Sequence, residues 1–117
     1  MHELGMLRSA VAATVRGATK AGATGVEAVG LRVGSLSGAV PEALRGAWPI
    51  ATAGTLVEGA RLDIEVVQAA VWCPTCACAR EINEFYAWRC PVCATPTAAL
   101  ARGREFDVAY ADLLGTG

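Results

Sequence analysis

Cys73-Pro-Thr-Cys76 and Cys90-Pro-Val-Cys93 decide how this chain is to be read. Each is a Cys-x-x-Cys turn, the spacing that lets two sulfurs from neighbouring turn positions converge on one ion. Only residues 77–89 lie between the pairs. Four thiolates delivered as two knuckles suit one tetrahedral Zn²⁺, and because they fill its coordination sphere no position stays open for a substrate. Such a site is structural. Cys73, Cys76, Cys90 and Cys93 are the expected zinc ligands. The segment around them carries too little apolar surface to hold itself together, so its folding should be coupled to the metal. Four sulfurs would also take iron, as in a rubredoxin-like centre. A redox dithiol is a third reading, although it ordinarily sits as a single pair at the head of a helix. Cys78 falls outside the knuckle spacing and reads as a spare, partly buried thiol. Arg80 and Arg89 are placed to offset some of the site's charge, and Phe85, Tyr86 and Trp88 to supply a mini-core around the metal.

Working outward, Leu62, Ile64 and Val66 alternate with charged residues as a strand. The phase then shifts to Val67, Ala69 and Val71, which predicts a bulge near Val66 and a strand running straight into Cys73. Beyond the second pair Pro96 breaks the chain, and Phe106, Val108 and Tyr110 alternate as a final strand that returns to pair with the earlier ones. Val29, Leu31 and Val33 form a short strand ending at Gly34. Nearer the start, Leu4, Leu7, Val11 and Val15 recur at three- and four-residue spacing, an amphipathic helix from Leu4 to about Ala21 that stops near Gly22. Pro41 opens a second helix with Leu44, Ala47, Trp48 and Ala51 as its buried stripe, and Pro49 predicts a break or kink near Trp48. The pattern is α+β: two helices packed on a small three-stranded sheet, with a four-cysteine zinc-ribbon module inserted between two strands. The expected division is one domain of residues 1–71 plus 98–117, and a zinc-binding module of residues 72–97.

Composition excludes several functions. The chain has 117 residues, 54% of them hydrophobic, and a formal net charge of −1. Its ten basic residues are scattered without a run, which argues against a protein that tracks nucleic-acid phosphates. No apolar stretch approaches the ~20 residues that cross a bilayer. The opening Met-His-Glu-Leu-Gly-Met-Leu-Arg lacks the basic and apolar regions of a secretory signal. Five cysteines, four of them in metal spacing, fit a reducing cytoplasm better than a disulfide framework. A single histidine and no nucleophile–base constellation argue against an enzyme.

That histidine is His2, and its position matters. The Met1 α-amine, the backbone nitrogen of His2 and the imidazole can close adjacent chelate rings around one ion. A nitrogen from the next peptide, at Glu3, or an outside donor completes a square plane, which suits Ni²⁺ or Cu²⁺. The plain alternative is a histidine fraying ahead of a helix, with Glu3 an acid that complements the dipole of the first turn. An exposed, labile chelate is suited to handing metal on rather than storing it.

Met1-His2-Glu3 opening a helix, the two late cysteine pairs, Leu31-Arg-Val-Gly34, Glu58-Gly-Ala-Arg-Leu62 and Gly103-Arg-Glu-Phe106 occur in an order and spacing that covers essentially the whole chain. In these the sequence resembles the HypA/HybF family of nickel metallochaperones. The resemblance implies insertion of nickel into [NiFe]-hydrogenase, and in some organisms supply to urease. Ni²⁺ is then a transient cargo and Zn²⁺ a structural ion. The implied partners are a HypB-type GTPase, the [NiFe]-hydrogenase large-subunit precursor and, in some organisms, urease accessory proteins. By the same resemblance His2 is the essential nickel ligand, assisted by the Met1 amine and the backbone nitrogen of Glu3, whose side chain is implicated in the site or its partner contacts. Some relatives recruit a second histidine from the zinc region; this sequence has none, so a further ligand must be a backbone group, a carboxylate, water or a partner residue. The competing reading is a zinc-ribbon interaction module that binds nucleic acid or transcription machinery. A thiol oxidoreductase is the third.

Overall fold

The computed structural model describes residues 2–83, 85 and 87–116. Its elements in chain order are α1 (His2–Lys20), β1 (Gly25–Gly34), α2 (Pro41–Thr52), β2 (Arg61–Val67), β3 (Ala70–Cys73), β4 (Cys78–Glu81), β5 (Leu100–Arg102) and β6 (Phe106–Leu114). They form two three-stranded sheets, in the orders β2-β1-β6 and β4-β3-β5. The chain divides into two compact units: Met1–Arg32 with Ala39–Glu65 and Asp107–Gly117, and Val33–Gly38 with Val66–Phe106.

In the first unit α1 buries Leu7, Val11, Thr14 and Ala18, a stripe at three- and four-residue spacing. Thr14 is tolerated there because its hydroxyl donates to the Ala10 carbonyl at 2.9 Å. Facing it, α2 buries Leu44, Trp48, Ala51 and Thr52. Two bonds fasten α2 to the chain entering the sheet: Trp48 Nε1 donates to the Ala60 carbonyl at 2.8 Å, and the Arg45 guanidinium to the Leu62 carbonyl at 2.8 Å. The expected break near Trp48 does not occur, for α2 runs through Pro49 to Thr52. Only the last turn follows the proline, so a single lost amide bond is offset by burying Ala51 and Thr52, and the Thr52 hydroxyl adds a bond to the Trp48 carbonyl at 2.9 Å.

β1 is the central strand, with β2 and β6 on either side, so the last strand returns to the sheet as its alternation predicts. Being central, β1 is buried on both faces: Ala28, Val29 and Leu31 expose 1% or less. Gly30 is required there. A β-carbon on it would lie 2.1 Å from Cε2 of Tyr110, whose ring covers the strand and whose hydroxyl donates to Asp63 on β2.

The continuous strand expected to run through a bulge at Val66 into Cys73 is two strands in two sheets. β2 ends at Val67 and β3 starts at Ala70. The phase shift in the sequence marks the chain leaving one sheet for the other. What irregularity there is falls at Ala70/Val71, in the pairing with β5. β3 pairs antiparallel with β4, Ala70 opposite Glu81 and Cys73 opposite Cys78. Ala69, Val71 and Ile82 form the second unit's core, with Leu36 and Leu100 packed against them. Among the described residues the aromatic mini-core expected around the metal does not form: Phe85 is 83% and Trp88 52% exposed, and Tyr86 lies outside the described residues. Aliphatic side chains on and beside the short strands fill the core instead. No helix of the described residues is long and apolar enough to cross a membrane.

Candidate metal centre

The two cysteine pairs fold as the same five-residue device, Cys73-Pro-Thr-Cys76-Ala77 and Cys90-Pro-Val-Cys93-Ala94. In each, the proline lies just past the first cysteine and the closing alanine sits in the left-handed region, at φ 55° for Ala77 and 63° for Ala94. That turn aims backbone amides at the first sulfur of its pair. The Cys76 amide donates to Cys73 Sγ at 3.3 Å, and the Val92 and Cys93 amides to Cys90 Sγ at 3.4 and 3.5 Å. Amide donors favour the ionised form of a sulfur, the form that binds a metal.

All four sulfurs lie within 4.8 Å of one another, and the short contacts join opposite knuckles, Cys73 to Cys93 at 3.5 Å and Cys76 to Cys90 at 4.0 Å. Zn–S bonds of about 2.3 Å give a tetrahedron with sulfur–sulfur edges of about 3.8 Å. The cluster therefore fits a structural zinc ion with every position taken, and both its geometry and its all-sulfur donor set leave little room for substrate chemistry. Cys73 and Cys90 are buried, Cys76 is half-buried and Cys93 is exposed. Cys78 lies outside the cluster, half-buried at the start of β4, as expected of a spare thiol.

The surroundings treat the sulfurs unequally. The Thr95 hydroxyl and then its backbone amide hold Cys93 down to about 6. The Cys90 thiol is lowered chiefly by the amides of Cys93 and Val92. Arg80 favours the Cys76 thiolate, but the crowd of Cys93, Cys73 and Cys90, together with desolvation, outweighs it and pushes that thiol up to about 11. Arg80 in turn is raised by Cys76 and by the charge of Cys78, and its buried Nε has no hydrogen-bond acceptor among the described residues, so the sulfurs supply its compensating charge. Arg89, expected to share that role, has an exposed side chain. Sequence reasoning missed Thr75 and Thr95. Thr95 Oγ1 lies 3.1 Å from Cys93 Sγ and 2.9 Å from Thr75 Oγ1. Hydroxyls inside and just beyond the knuckles were the available signal.

At the other candidate site, His2 is exposed at the head of α1, and Met1 lies outside the described residues. Glu3 is half-buried, and its Oε2 accepts from the Val40 amide at 3.3 Å. Val40 is the N-cap of α2, and Glu3 satisfies its backbone amide, the donor that a Glu or Gln at the third helical position would otherwise take but that Ala43 cannot. Its own backbone amide first, then the Val40 amide and the charge of His2, hold the Glu3 carboxyl below the usual range against an opposing desolvation.

With an imidazole at position 2 and a closed four-sulfur cluster, the chain matches, over residues 1–113, the family profile described as hydrogenase/urease nickel incorporation, metallochaperone, hypA. The chain belongs to the HypA family. It is 40% identical over 109 residues to the hydrogenase maturation factor HypA of Roseiflexus sp. (strain RS-1), spanning 93% of this chain and 89% of that protein. To the factor of the same name from Chloroflexus aurantiacus (strain ATCC 29366 / DSM 635 / J-10-fl) it is 38% identical over 108 residues, 92% of this chain and 95% of the relative. The solution structure of the Ni metallochaperone HypA from Helicobacter pylori superposes with a TM-score of 0.70 at 22% identity, covering 97% of both chains, so the fold is shared. HypA proteins are nickel metallochaperones of hydrogenase maturation, and the four-cysteine cluster of this chain fits a structural zinc beside that nickel cargo. The nucleic-acid reading finds no support in these likenesses.

Proposed function

We propose that this chain captures Ni²⁺ at its N-terminus and passes it on for maturation of [NiFe]-hydrogenase, while zinc on Cys73, Cys76, Cys90 and Cys93 braces the inserted module. The observation that carries the reading is the HypA match over residues 1–113, which takes in His2 and all four cysteines. The nickel ligands are the His2 imidazole, the Met1 amine and the backbone nitrogens of His2 and Glu3, a square-planar set. The Glu3 carboxylate, engaged with Val40, assists from beside the ion. Release is ligand exchange: incoming donors displace these nitrogens one at a time while protons return to the amine and to the two backbone nitrogens, which bind as deprotonated amides, and in acid to the imidazole as well. No bond of a substrate is made or broken, so the chain is a carrier and not an enzyme. Its work lies in the cytoplasm with a HypB-type GTPase and the hydrogenase large-subunit precursor, and in some settings with urease accessory proteins. Labour divides between a nickel-binding domain of residues 1–71 plus 98–117 and a zinc-binding module of residues 72–97, the stretch that holds all four sulfurs.

The test is a Ni²⁺ titration of zinc-loaded protein beginning at Met1, beside His2→Ala and a form with one extra residue before Met1. Near-stoichiometric uptake by the first and loss in the other two, with zinc content unchanged, is expected. Equal uptake by all three, or by none, removes the N-terminal site.

A further inference from the structure

We infer that Thr75 and Thr95 form a hydroxyl relay that holds the exposed zinc ligand Cys93 in place and ties the second knuckle to the first, setting how slowly the metal leaves. The inference rests on the zinc assignment above. Of the four ligands, Cys93 is the most exposed residue, so an incoming chelator, electrophile or proton meets it first. Thr95 Oγ1 lies against its sulfur at 3.1 Å. That hydroxyl is not free to wander. The Thr95 carbonyl accepts from the Cys90 amide at 2.8 Å, which fixes its backbone, and its oxygen lies 2.9 Å from Thr75 Oγ1, inside the opposite knuckle.

Counting hydrogens gives the relay a direction. Each hydroxyl carries one hydrogen. With zinc holding Cys93 as a thiolate, the sulfur has no hydrogen to give, so Thr95 donates to the sulfur and Thr75 to Thr95. A donor on a bound thiolate draws off charge, which lowers its reactivity, and groups hydrogen-bonded to metal ligands commonly change affinity 10–100-fold when lost. Because Thr75 belongs to the Cys73–Cys76 turn and Thr95 follows the other, the relay links the two knuckles beside the metal, adding to the bonds of Trp72 with Thr97 and Ala99.

The experiment measures zinc transfer from the full-length loaded protein to excess 4-(2-pyridylazo)resorcinol, with iodoacetamide labelling of each cysteine read by peptide mass. Thr95→Val should release zinc about 10-fold faster and expose Cys93 to labelling first. Thr75→Val, at an exposed turn position with no part in the core, should also accelerate release although it lies one bond removed from the sulfur. Thr95→Ser should restore the parent rate. The relay is overturned if Thr75→Val releases zinc at the parent rate, if Thr95→Ser is as fast as Thr95→Val, or if no variant differs. A parent protein that binds no zinc overturns the metal assignment itself, a distinct failure.

Discussion

Replacing Ile82 with alanine should weaken zinc binding about a hundredfold, although Ile82 is not a ligand. The side chain is 6% exposed and packs with Ala69 and Val71, bordered by Leu36 and Leu100. Trimming it to alanine removes three carbons at about 0.8 kcal/mol each and leaves a cavity, within the range of about 2–5 kcal/mol for such truncations. A value near 3 kcal/mol is reasonable, because the backbone bonds of residue 82, to Ala69 at 2.9 Å and from Gln68 Nε2 at 2.6 Å, survive. Where a structural zinc site forms only as its unit folds, a penalty on the folded unit is subtracted from metal affinity. At about 1.4 kcal/mol per decade, 3 kcal/mol is roughly two decades. The assay is competition for zinc against a chelator of known affinity. Leu44→Ala is the control: that side chain is fully buried in the other unit, and its loss should lower stability comparably while leaving zinc affinity within a few-fold. The reasoning is refuted if Ile82→Ala melts lower yet binds zinc as tightly as the parent, which would mean a site already formed without metal. It is refuted equally if Leu44→Ala weakens zinc as much.

Acid should separate the two metals. The amine and imidazole must both be deprotonated to hold nickel, whereas zinc itself keeps its thiolates ionised, so nickel should be lost by about pH 5.5 with zinc still bound. Nickel retained there would exclude an N-terminal amine site. A second pH test concerns the sheet. Asp63 is held below its usual 3.8, first by Arg61 and then by Tyr110, and Tyr110 is raised above its usual 10.0 because it donates to Asp63. Asp63 therefore adds stability above about pH 4, which is lost as pH falls through its depressed value; Tyr110 adds stability below about pH 10, lost as pH rises through its raised value. The gap in urea midpoint between the parent and Asp63→Asn should be widest between those limits, close below them, and narrow above them to what Arg61 alone contributes. A gap independent of pH would show that the carboxylate's charge contributes nothing.

Much of this was legible in the chain because the signals were local. A 3.6-residue stripe gave α1, alternation gave β1 and β6, and Cys-x-x-Cys spacing brought four sulfurs together. The second sheet was not legible. Its strands have four, four and three residues, too short to alternate, and β4 (Cys-Ala-Arg-Glu) has no apolar face to announce it. Phe85 and Trp88 misled because aromatic residues near a metal imply a core, whereas Val71 and Ile82 had already closed it through pairing of β3 with β4. The phase shift after Val66 was real but ambiguous, since a bulge and a change of sheet leave the same trace in sequence. The tie from Glu3 to Val40 spans 37 positions and could not be read from either end.

Ala77 and Ala94 carry a last consequence. Both close their knuckles with φ near 60°, a conformation that glycine adopts freely and that burdens an alanine by about 1–2 kcal/mol. Once the metal departs, the turns are left to the amide–sulfur bonds and to the pairing of β3 with β4. The two methyl groups thus load a pair of springs that the ion helps to hold compressed. A glycine version of the same knuckles would bind more forgivingly and let go more gradually. With alanine the module is sharpened toward two states, closed on its metal or open without it.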